Sequence, residues 1–291
     1  GLELQLGGTI IKQQDGGFQW DIDVNWAKNK NKVNKLYTDP TTGIPLANYP
    51  ISTAWGVNIS AVPGEDFGTI RGPAYHRNAK GQVEVNSNGL LTFDAQQKLG
   101  NITPDWVGGI TNTFQYKSFS LSFLLDFKKG GDFFSTTTMF GATTGILDFT
   151  AQGNMRENGV VIGRDVLKGY TVVKPDGTPN DKVISAQQFF TNASYSGGGT
   201  EYDIIDGSYV KLRNINFTYR LPVTLTNKVK WLKGASIGLF ANNVALLHTD
   251  KSNTSHIDPE TGYGVGNDGL GIEQYQIPSS RSIGLKLNIS L

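Results

Sequence analysis

The chain has 291 residues, of which 38% are hydrophobic and 18% are charged, and none is cysteine. Its 26 basic and 25 acidic residues give a formal net charge of +1, so no long-range field favours binding to nucleic acid. The absence of cysteine excludes a disulfide scaffold, a thiol nucleophile and a Cys-ligated metal. No apolar run approaches the roughly 18 residues that a transmembrane helix needs.

The chain opens with alternating residues. Leu2, Leu4 and Leu6 are separated by Glu3 and Gln5, and a period of two predicts a strand with one apolar face. Neither an initiator Met nor an apolar signal core precedes this strand. We therefore expect either a processed chain or, preferably, the C-terminal part of a larger protein.

The clearest predicted strand covers residues 18–27. One of its faces is apolar and aromatic, formed by Phe18, Trp20, Ile22, Val24 and Trp26. At roughly 3.3 Å per residue the two Trp residues are about 20 Å apart, near the spacing of the aromatic girdles of a membrane barrel. We therefore expect Trp20 and Trp26 to face lipid. Asp21 and Asp23, on the other face, are expected to be hydrated carboxylates rather than a glycosidase pair.

The same alternation recurs further along the chain. Predicted strands at 107–116 and 119–127 place Phe123 on an apolar face, and the last residues alternate up to Leu291, with Leu285 and Leu287 on the apolar side. About ten tilted residues are enough for a strand to cross the hydrocarbon of a bilayer. We expect Phe123, Leu285 and Leu287 to face lipid.

The whole pattern predicts nine antiparallel strands, at about 2–11, 18–27, 51–61, 66–74, 107–116, 119–127, 208–221, 235–245 and 278–291. In a membrane barrel short turns lie in the periplasm and long loops lie outside. The expected periplasmic links are 12–17, 62–65, 117–118 and 222–234, and the expected external loops are 28–50, 75–106, 128–207 and 246–277. The predicted fold is therefore all-β, a transmembrane antiparallel β-barrel. Because bacterial single-chain barrels have even strand counts, the nine predicted strands indicate only part of a barrel.

Two local irregularities are expected in these strands. A β-bulge between Lys211 and Asn214 is needed to bring Ile215 and Phe217 onto the apolar face. Phe240 falls on the polar side of its strand.

The segment from Gly207 to Pro222 resembles the signature near the C-terminus of SusC/RagA-type TonB-dependent transporters. As in that family, Asn242-Asn243 follows in the next strand, Asp258-Pro259-Glu260 lies in a loop, and Pro-Ser-Ser-Arg leads into the last strand. Upstream segments at 18–26, 99–106 and 123–132 are also similar, so the resemblance covers nearly the whole chain. One departure is Leu291, because members of the family commonly end in an aromatic residue that the assembly machinery reads.

The resemblance implies a Bacteroidetes importer in the bacterial outer membrane, which takes up glycan or peptide oligomers with energy from TonB. Such transporters have a barrel of roughly 22 strands, an N-terminal plug with a TonB box, and a SusD-like surface lipoprotein as partner. The plug and the TonB box are not in this sequence. Residues 1–291 are therefore expected to be the C-terminal portion of the barrel, and TonB would be contacted through the missing N-terminal part.

The predicted loop 246–277 is the candidate partner-facing surface. It is rich in glycine and acidic residues, and we expect Asp258, Glu260 and Tyr263 to contact the lipoprotein or the solute. Loop tyrosines are candidates for stacking on sugar rings: Tyr37, Tyr49, Tyr195, Tyr202, Tyr263 and Tyr275. Trp55 and Trp106 are expected near strand starts, at a membrane interface or facing the lumen.

No motif predicts catalysis, a cofactor or a metal site. Residues 234–238 match the G-x-S-x-G pattern, but Ser236 begins an alternating strand rather than a strand–turn–helix elbow. His248 and His256 have acidic neighbours but no metal-ligand motif, so we expect them to be surface loop residues.

The residues leave an alternative of a different class, a secreted all-β carbohydrate-binding or surface-adhesion protein. In a soluble sandwich the apolar strand faces pack inward, whereas in an importer they face lipid and the polar faces are enclosed. A small self-contained barrel enzyme is a further alternative.

Overall fold

The computed structural model describes residues 1–14, 17–194, 198–229, 231–260, 262 and 269–290. Its strands are β1 Leu2–Ile11, β2 Phe18–Lys28, β3 Tyr49–Ala54, β4 Val57–Ala61, β5 Thr69–Tyr75, β6 Val83–Glu84, β7 Phe93–Asn101, β8 Pro104–Tyr116, β9 Phe119–Gly130, β10 Phe133–Ser135, β11 Val172–Val173, β12 Ile204–Ile205, β13 Tyr209–Arg220, β14 Gly234–Thr249, β15 Ile272–Glu273 and β16 Ser282–Ser290. The α-helices are α1 Thr136–Thr144, α2 Met155–Asn158, α3 Ala186–Ala193 and α4 Val223–Thr226, and 3-10 helices cover Asp148–Asn154 and Glu201–Asp203. Among these described helices, none has the length and apolar character needed to cross a membrane.

Seven strands form the main sheet in the order β1-β2-β8-β9-β13-β14-β16, and each neighbouring pair is antiparallel. The register places Trp20 opposite Phe114, Phe123 opposite Ile215, and Leu285 opposite Leu239. Since side chains alternate between faces, these pairings keep the apolar residues of all the strands on one side. The predicted all-β antiparallel architecture is confirmed.

The antiparallel order puts short and long connections at opposite ends of this sheet. The short connections are residues 12–17, 117–118 and 221–233, and the long ones are 29–103, 131–208 and 250–281. The long connections fold against one another, and we call them together the loop assembly.

Two of the nine predicted strands are not in the main sheet. Residues 51–61 and 66–74 instead belong to a separate four-stranded sheet, in the order β3-β4-β5-β7, within the loop assembly. Val57, Ile59 and Ile70 are fully buried in a core, so their apolar side chains pack inside the loop assembly and not against lipid. Residues 62–65 consequently connect two strands of this small sheet and not two strands of the wall.

The loop assembly is held together by two apolar cores. The first joins distant segments of the chain through Val57, Ile59, Ile70, Phe134, Met139 and Ile272. The second is larger and draws on residues 75–91 and 142–193, including the buried Phe189 and Phe190 of α3. Burial of this kind gives the assembly its own folded structure, as expected for a connection too long to be a simple loop.

A buried carboxylate ties two of the long connections together. β10 and β15 pair in parallel, with Ser135 opposite Glu273, and Glu273 is only 2% exposed. The hydroxyls of Ser135 and Thr137 donate hydrogen bonds to its carboxylate at 2.7 and 2.6 Å. Because a buried carboxylate is stable only when it is hydrogen-bonded, this contact holds α1 and β15 in one position.

Both expected irregularities are present in the main sheet. The register of β13 with each of its neighbours shifts between Leu212 and Asn214, which makes Arg213 the extra residue of a β-bulge. Phe240 lies opposite Gly284 on the polar side, where a Cβ on that glycine would come within 2.5 Å of the Phe240 ring. Gly284 therefore provides the space into which Phe240 packs.

Candidate functional site: two sheet faces and the loop assembly

One face of the main sheet is apolar from edge to edge. Exposed apolar side chains on this face lie on all parts of the sheet, including Leu4, Phe119, Leu121, Phe217, Leu239, Ile283, Leu285 and Leu287. Leu285 and Leu287 are 73% and 66% exposed. A continuous apolar surface of this extent is unusual for a protein surrounded by water and indicates contact with a partner or a membrane.

The predicted lipid-facing aromatics all lie on this apolar face. The Trp20 ring stacks on Phe114 at 5.8 Å, and its indole Nε1 donates a hydrogen bond to Asn112 Oδ1 at 3.1 Å. This bond satisfies the amide oxygen of Asn112, which is 9% exposed among apolar neighbours. Trp26 lies opposite Gly108, and Phe123 lies opposite Asn112. The structure thus brings Trp20, Trp26, Phe123, Leu285 and Leu287 together on one surface, and their contact with lipid stays a prediction.

The opposite face of the sheet is polar. Asp21 accepts hydrogen bonds from Thr9 Oγ1 at 2.6 Å and from Gln19 Nε2 at 2.7 Å. At the other edge, Asn288 Nδ2 donates to Ser236 Oγ at 3.2 Å. The exposed apolar face and the hydrogen-bonded polar face match the pattern expected of an importer wall and are the reverse of a soluble sandwich.

A cluster of charged side chains joins the polar face to the third long connection. Lys211 Nζ donates to Asp258 Oδ1 and to Glu260 Oε2, both at 2.5 Å. The Arg213 guanidinium binds both oxygens of Glu260, at 2.6 and 2.7 Å, and also pairs with Asp126. We call these five residues, Asp126, Lys211, Arg213, Asp258 and Glu260, the ionic latch.

The latch is centred on a buried cation, while its acidic partner Glu260 keeps 37% of its side chain exposed. Lys211 is 5% exposed, and Tyr209 adds a hydrogen bond from its hydroxyl to Glu260 Oε1 at 3.1 Å. Burial raises the pKa of Glu260, but hydrogen bonds from Arg213 and Lys211 outweigh it and lower the pKa to about 2. For Asp258 burial likewise acts upward, yet the bonds from Lys211 and Ser279 lower its pKa.

The latch changes the interpretation of the predicted partner-facing loop. Asp258 and Glu260 turn toward the sheet and anchor the loop, so their carboxylates are engaged with the chain itself. Tyr263, the third predicted residue, lies outside the described residues, as do Tyr195 and Leu291. The sequence analysis did not predict that Lys211 and Arg213 hold this loop through ion pairs. The two basic residues are two positions apart, as are Asp258 and Glu260, and this matching spacing is the signal that the sequence offered.

A second polar cluster lies within the loop assembly. Arg77 Nη2 pairs with Glu201 Oε1 at 2.5 Å, and the Tyr170 hydroxyl donates to the same oxygen at 3.3 Å. Nearby Asp203 is fully buried and accepts one hydrogen bond, from Ser194 Oγ at 3.0 Å. Burial raises the pKa of the Asp203 carboxyl well above its usual range.

The G-x-S-x-G match at residues 234–238 does not form a nucleophile elbow. Ser236 lies inside β14, which continues as a strand and provides no nucleophile elbow. Over the described ranges, no group of three or more His, Cys, Asp or Glu residues is placed to hold a metal ion.

Comparisons with known proteins identify relatives of the chain. It is 22% identical to TonB-dependent receptor P26 of Formosa agariphila over 314 residues, which cover 100% of this chain and 29% of that receptor. It is also 22% identical to TonB-dependent receptor P3 of the same organism, over 99% of this chain and 28% of that receptor. The chain is a homologue of TonB-dependent receptors. The predicted resemblance is confirmed, although no protein-family model matches the sequence.

Solved structures agree with this relationship at the level of the fold. A chain of the RagAB peptide importer in its open-open state superposes with a TM-score of 0.60 and 18% identity, over 99% of this chain and 28% of that one. The structure of the RagAB peptide transporter gives a TM-score of 0.59 with the same identity. The seven-stranded sheet thus has the fold of the corresponding part of a TonB-dependent transporter β-barrel. The chain spans less than a third of the receptors it matches, and these relatives are receptors and transporters rather than enzymes.

Proposed function

We propose that this TonB-dependent receptor homologue forms part of the wall and the surface loops of an outer-membrane importer. The observation that carries the proposal is the apolar face that runs across all seven strands, with a hydrogen-bonded polar face behind it. In a membrane barrel the first face contacts lipid and the second lines the lumen. Relatives described as TonB-dependent receptors support the same assignment.

In this proposal the loop assembly lies on the cell surface and the short connections lie in the periplasm. The assembly has two cores and can therefore present a fixed surface to a solute. A SusD-like surface lipoprotein would bind on the outer side, and the solute would be a glycan or a peptide oligomer. TonB would be contacted by segments of the receptor that this chain does not contain. The match to a RagAB peptide importer supports, but does not specify, this assembly.

Surface labelling of single cysteines tests the orientation. Lys251→Cys lies in a long connection and Lys228→Cys lies in a short one, both at exposed positions, and the receptor without either substitution gives the background labelling. In intact cells that produce the full-length receptor, a membrane-impermeant maleimide should label Lys251→Cys and leave Lys228→Cys unlabelled until the outer membrane is opened. The opposite labelling would invert the topology, and equal labelling of both in a secreted product would contradict membrane insertion.

A further inference from the structure

The short connections of the main sheet carry a strong excess of basic residues. Residues 12–17, 117–118 and 220–233 contain six Lys or Arg side chains and one Asp, although the whole chain has a formal net charge of only +1. Five of these basic residues belong to the described structure and are exposed, and we call them the basic rim: Lys12, Lys117, Arg220, Lys228 and Lys233. Over the described ranges, none of the five forms a salt bridge.

The basic rim borders the apolar face of the sheet. Tyr116 lies opposite Phe119 on one side and opposite Phe18 on the other. These three rings belong to the apolar face and are 49%, 46% and 42% exposed. Lys117 Nζ lies 5.2 Å from the centroid of the Tyr116 ring. Exposed aromatic rings with cations beside them are typical of the level at which a membrane protein passes from hydrocarbon to lipid headgroups.

Two members of the basic rim share a cleft. The Arg220 backbone N–H donates to the Ser118 carbonyl at 2.8 Å, which holds the end of β13 beside the turn that carries Lys117. The cleft has a volume of about 330 Å³, and its lining includes Lys117, Ser118, Ser120, Thr218 and Arg220. Among the described residues that line it, none has a carboxylate. Two cations and three hydroxyls are donors that suit a phosphate group.

The turn that carries Lys117 has an uncommon backbone. Lys117-Ser118 is the two-residue connection between β8 and β9, and Lys117 has a φ of 54°. Hairpin turns with a positive φ at the first central residue favour Gly or Asn there. A lysine at this position is therefore strained, and strained residues are concentrated where function requires the side chain.

The third short connection has the composition of a segment that lies at a membrane surface. Val223, Leu225 and Trp231 are 66%, 49% and 61% exposed. Lys228 and Lys233 are exposed in the same segment. Trp is enriched at membrane interfaces, and lysines near exposed apolar side chains attract anionic lipids.

We propose that the basic rim binds the headgroup phosphate of an anionic phospholipid, with Lys117 and Arg220 as its main contacts. The inference rests on the proposed function, because the acyl chains of such a lipid would pack on the apolar face beside Tyr116 and Phe119. Charge complementarity selects an anionic lipid over a zwitterionic one, whose headgroup carries a cation of its own.

Native mass spectrometry of the purified full-length receptor in detergent tests the proposal. The probes are dioleoyl-phosphatidylglycerol, which is anionic, and dioleoyl-phosphatidylcholine, which has the same acyl chains and no net charge. We expect the receptor to bind phosphatidylglycerol more tightly. Lys117→Asn and Arg220→Gln should each weaken that binding by about fivefold, the effect of one cation near an anionic surface, and should change phosphatidylcholine binding little.

Two further variants show whether charge at the rim is responsible. Lys80→Gln removes an exposed lysine of the loop assembly and should leave both affinities unchanged. Lys117→Arg/Arg220→Lys keeps both charges and should keep the preference for phosphatidylglycerol. Equal binding of the two lipids by the unmodified receptor, an equal loss in Lys80→Gln, or loss of the preference in the exchange variant would each overturn the proposal.

Other occupants of the rim give different results. Displacement of phosphatidylglycerol by an equal concentration of inorganic phosphate would overturn the proposal in favour of free phosphate. Unchanged lipid binding together with a lower unfolding temperature in Lys117→Asn/Arg220→Gln would overturn it in favour of an acidic segment of the receptor. The lipid titration in detergent does not depend on orientation, whereas the Lys251→Cys and Lys228→Cys labelling does, so failure of the proposed function is distinguishable from failure of lipid binding.

Discussion

At the scale of the residue, Lys211 shows how a buried charge depends on its partners. Its ammonium group contacts Asp258 and Glu260 and is nearly inaccessible to water. Lys211→Met removes the cation, so the carboxylates of Asp258 and Glu260 both lose their ion pair with it. Loss of one partner from a fully buried pair costs about 3–5 kcal/mol, and we expect less here because the Glu260 side chain is 37% exposed. Urea unfolding of the full-length receptor in detergent measures the loss.

The same measurement on Asp258→Asn and on the double variant Lys211→Met/Asp258→Asn completes a double-mutant cycle. If the two side chains act as a pair, the double variant should lose less stability than the sum of the single variants. Strict additivity would contradict the pairing. Arg213, which remains bound to Glu260 and Asp126, limits the loss in every variant.

A second residue-scale prediction concerns the two faces of β16. Leu285 lies on the apolar face and is exposed there, whereas Asn288 lies on the polar face and bonds to Ser236. Near the middle of a bilayer an Arg on the lipid side of a barrel strand costs roughly 2–4 kcal/mol. We expect Leu285→Arg to show this loss in unfolding experiments with receptor in lipid vesicles, and Asn288→Arg to show much less. Equal losses would mean that the apolar face does not contact lipid.

At the scale of the element, the strap formed by residues 250–260 is attached to the wall by ionised carboxylates. The folded-state pKa of Glu260, about 2, lies below its ordinary value of 4.5. A carboxyl whose pKa is lowered on folding stabilises the attached state fully above its ordinary pKa, and this contribution is lost as the pH falls toward the folded value. We therefore expect the strap to detach progressively between pH 4.5 and about 2.

Pepsin digestion of the receptor across that pH interval, followed by mass spectrometry, measures the detachment as new cleavages within 250–260. Glu260→Gln should be cleaved there more than the unmodified receptor at pH 4.5 and should show a smaller increase on further acidification, because only Asp258 is left to lose its charge. Glu157→Gln, on α2 and away from the strap, is the control and should behave like the unmodified receptor. Cleavage that is independent of pH in the unmodified receptor would contradict the role of the latch.

The elements also show what the sequence could predict. Alternation identified each of the seven wall strands, and the need to keep Ile215 and Phe217 on one face predicted the bulge at Arg213. The same alternation misassigned 51–61 and 66–74 to the wall, because a strand that packs on a protein core and a strand that faces lipid can share the period of two. The pairing of Ser135 with Glu273 and the ring contacts of Phe140 with Trp55 and Tyr275 join segments far apart in the chain, which no local pattern encodes.

At the scale of the whole molecule, the main sheet is open, with β1 and β16 as its edges. An unpaired strand edge inside a bilayer exposes backbone N–H and C=O groups that lipid cannot satisfy, at several kcal/mol for each group. The loop assembly has its own cores and does not need closure of the sheet in order to fold. Residues 1–291 expressed alone should therefore contain a folded loop assembly but no closed barrel.

Refolded in detergent and run on a gel without heating, the chain should migrate as it does after boiling, because only closed barrels resist the denaturant. Trypsin should nevertheless leave a protected fragment from 131–208, which shows that failure of closure is not general misfolding. A heat-modifiable band from this chain alone would contradict the prediction and mean that its seven strands close on themselves or between copies.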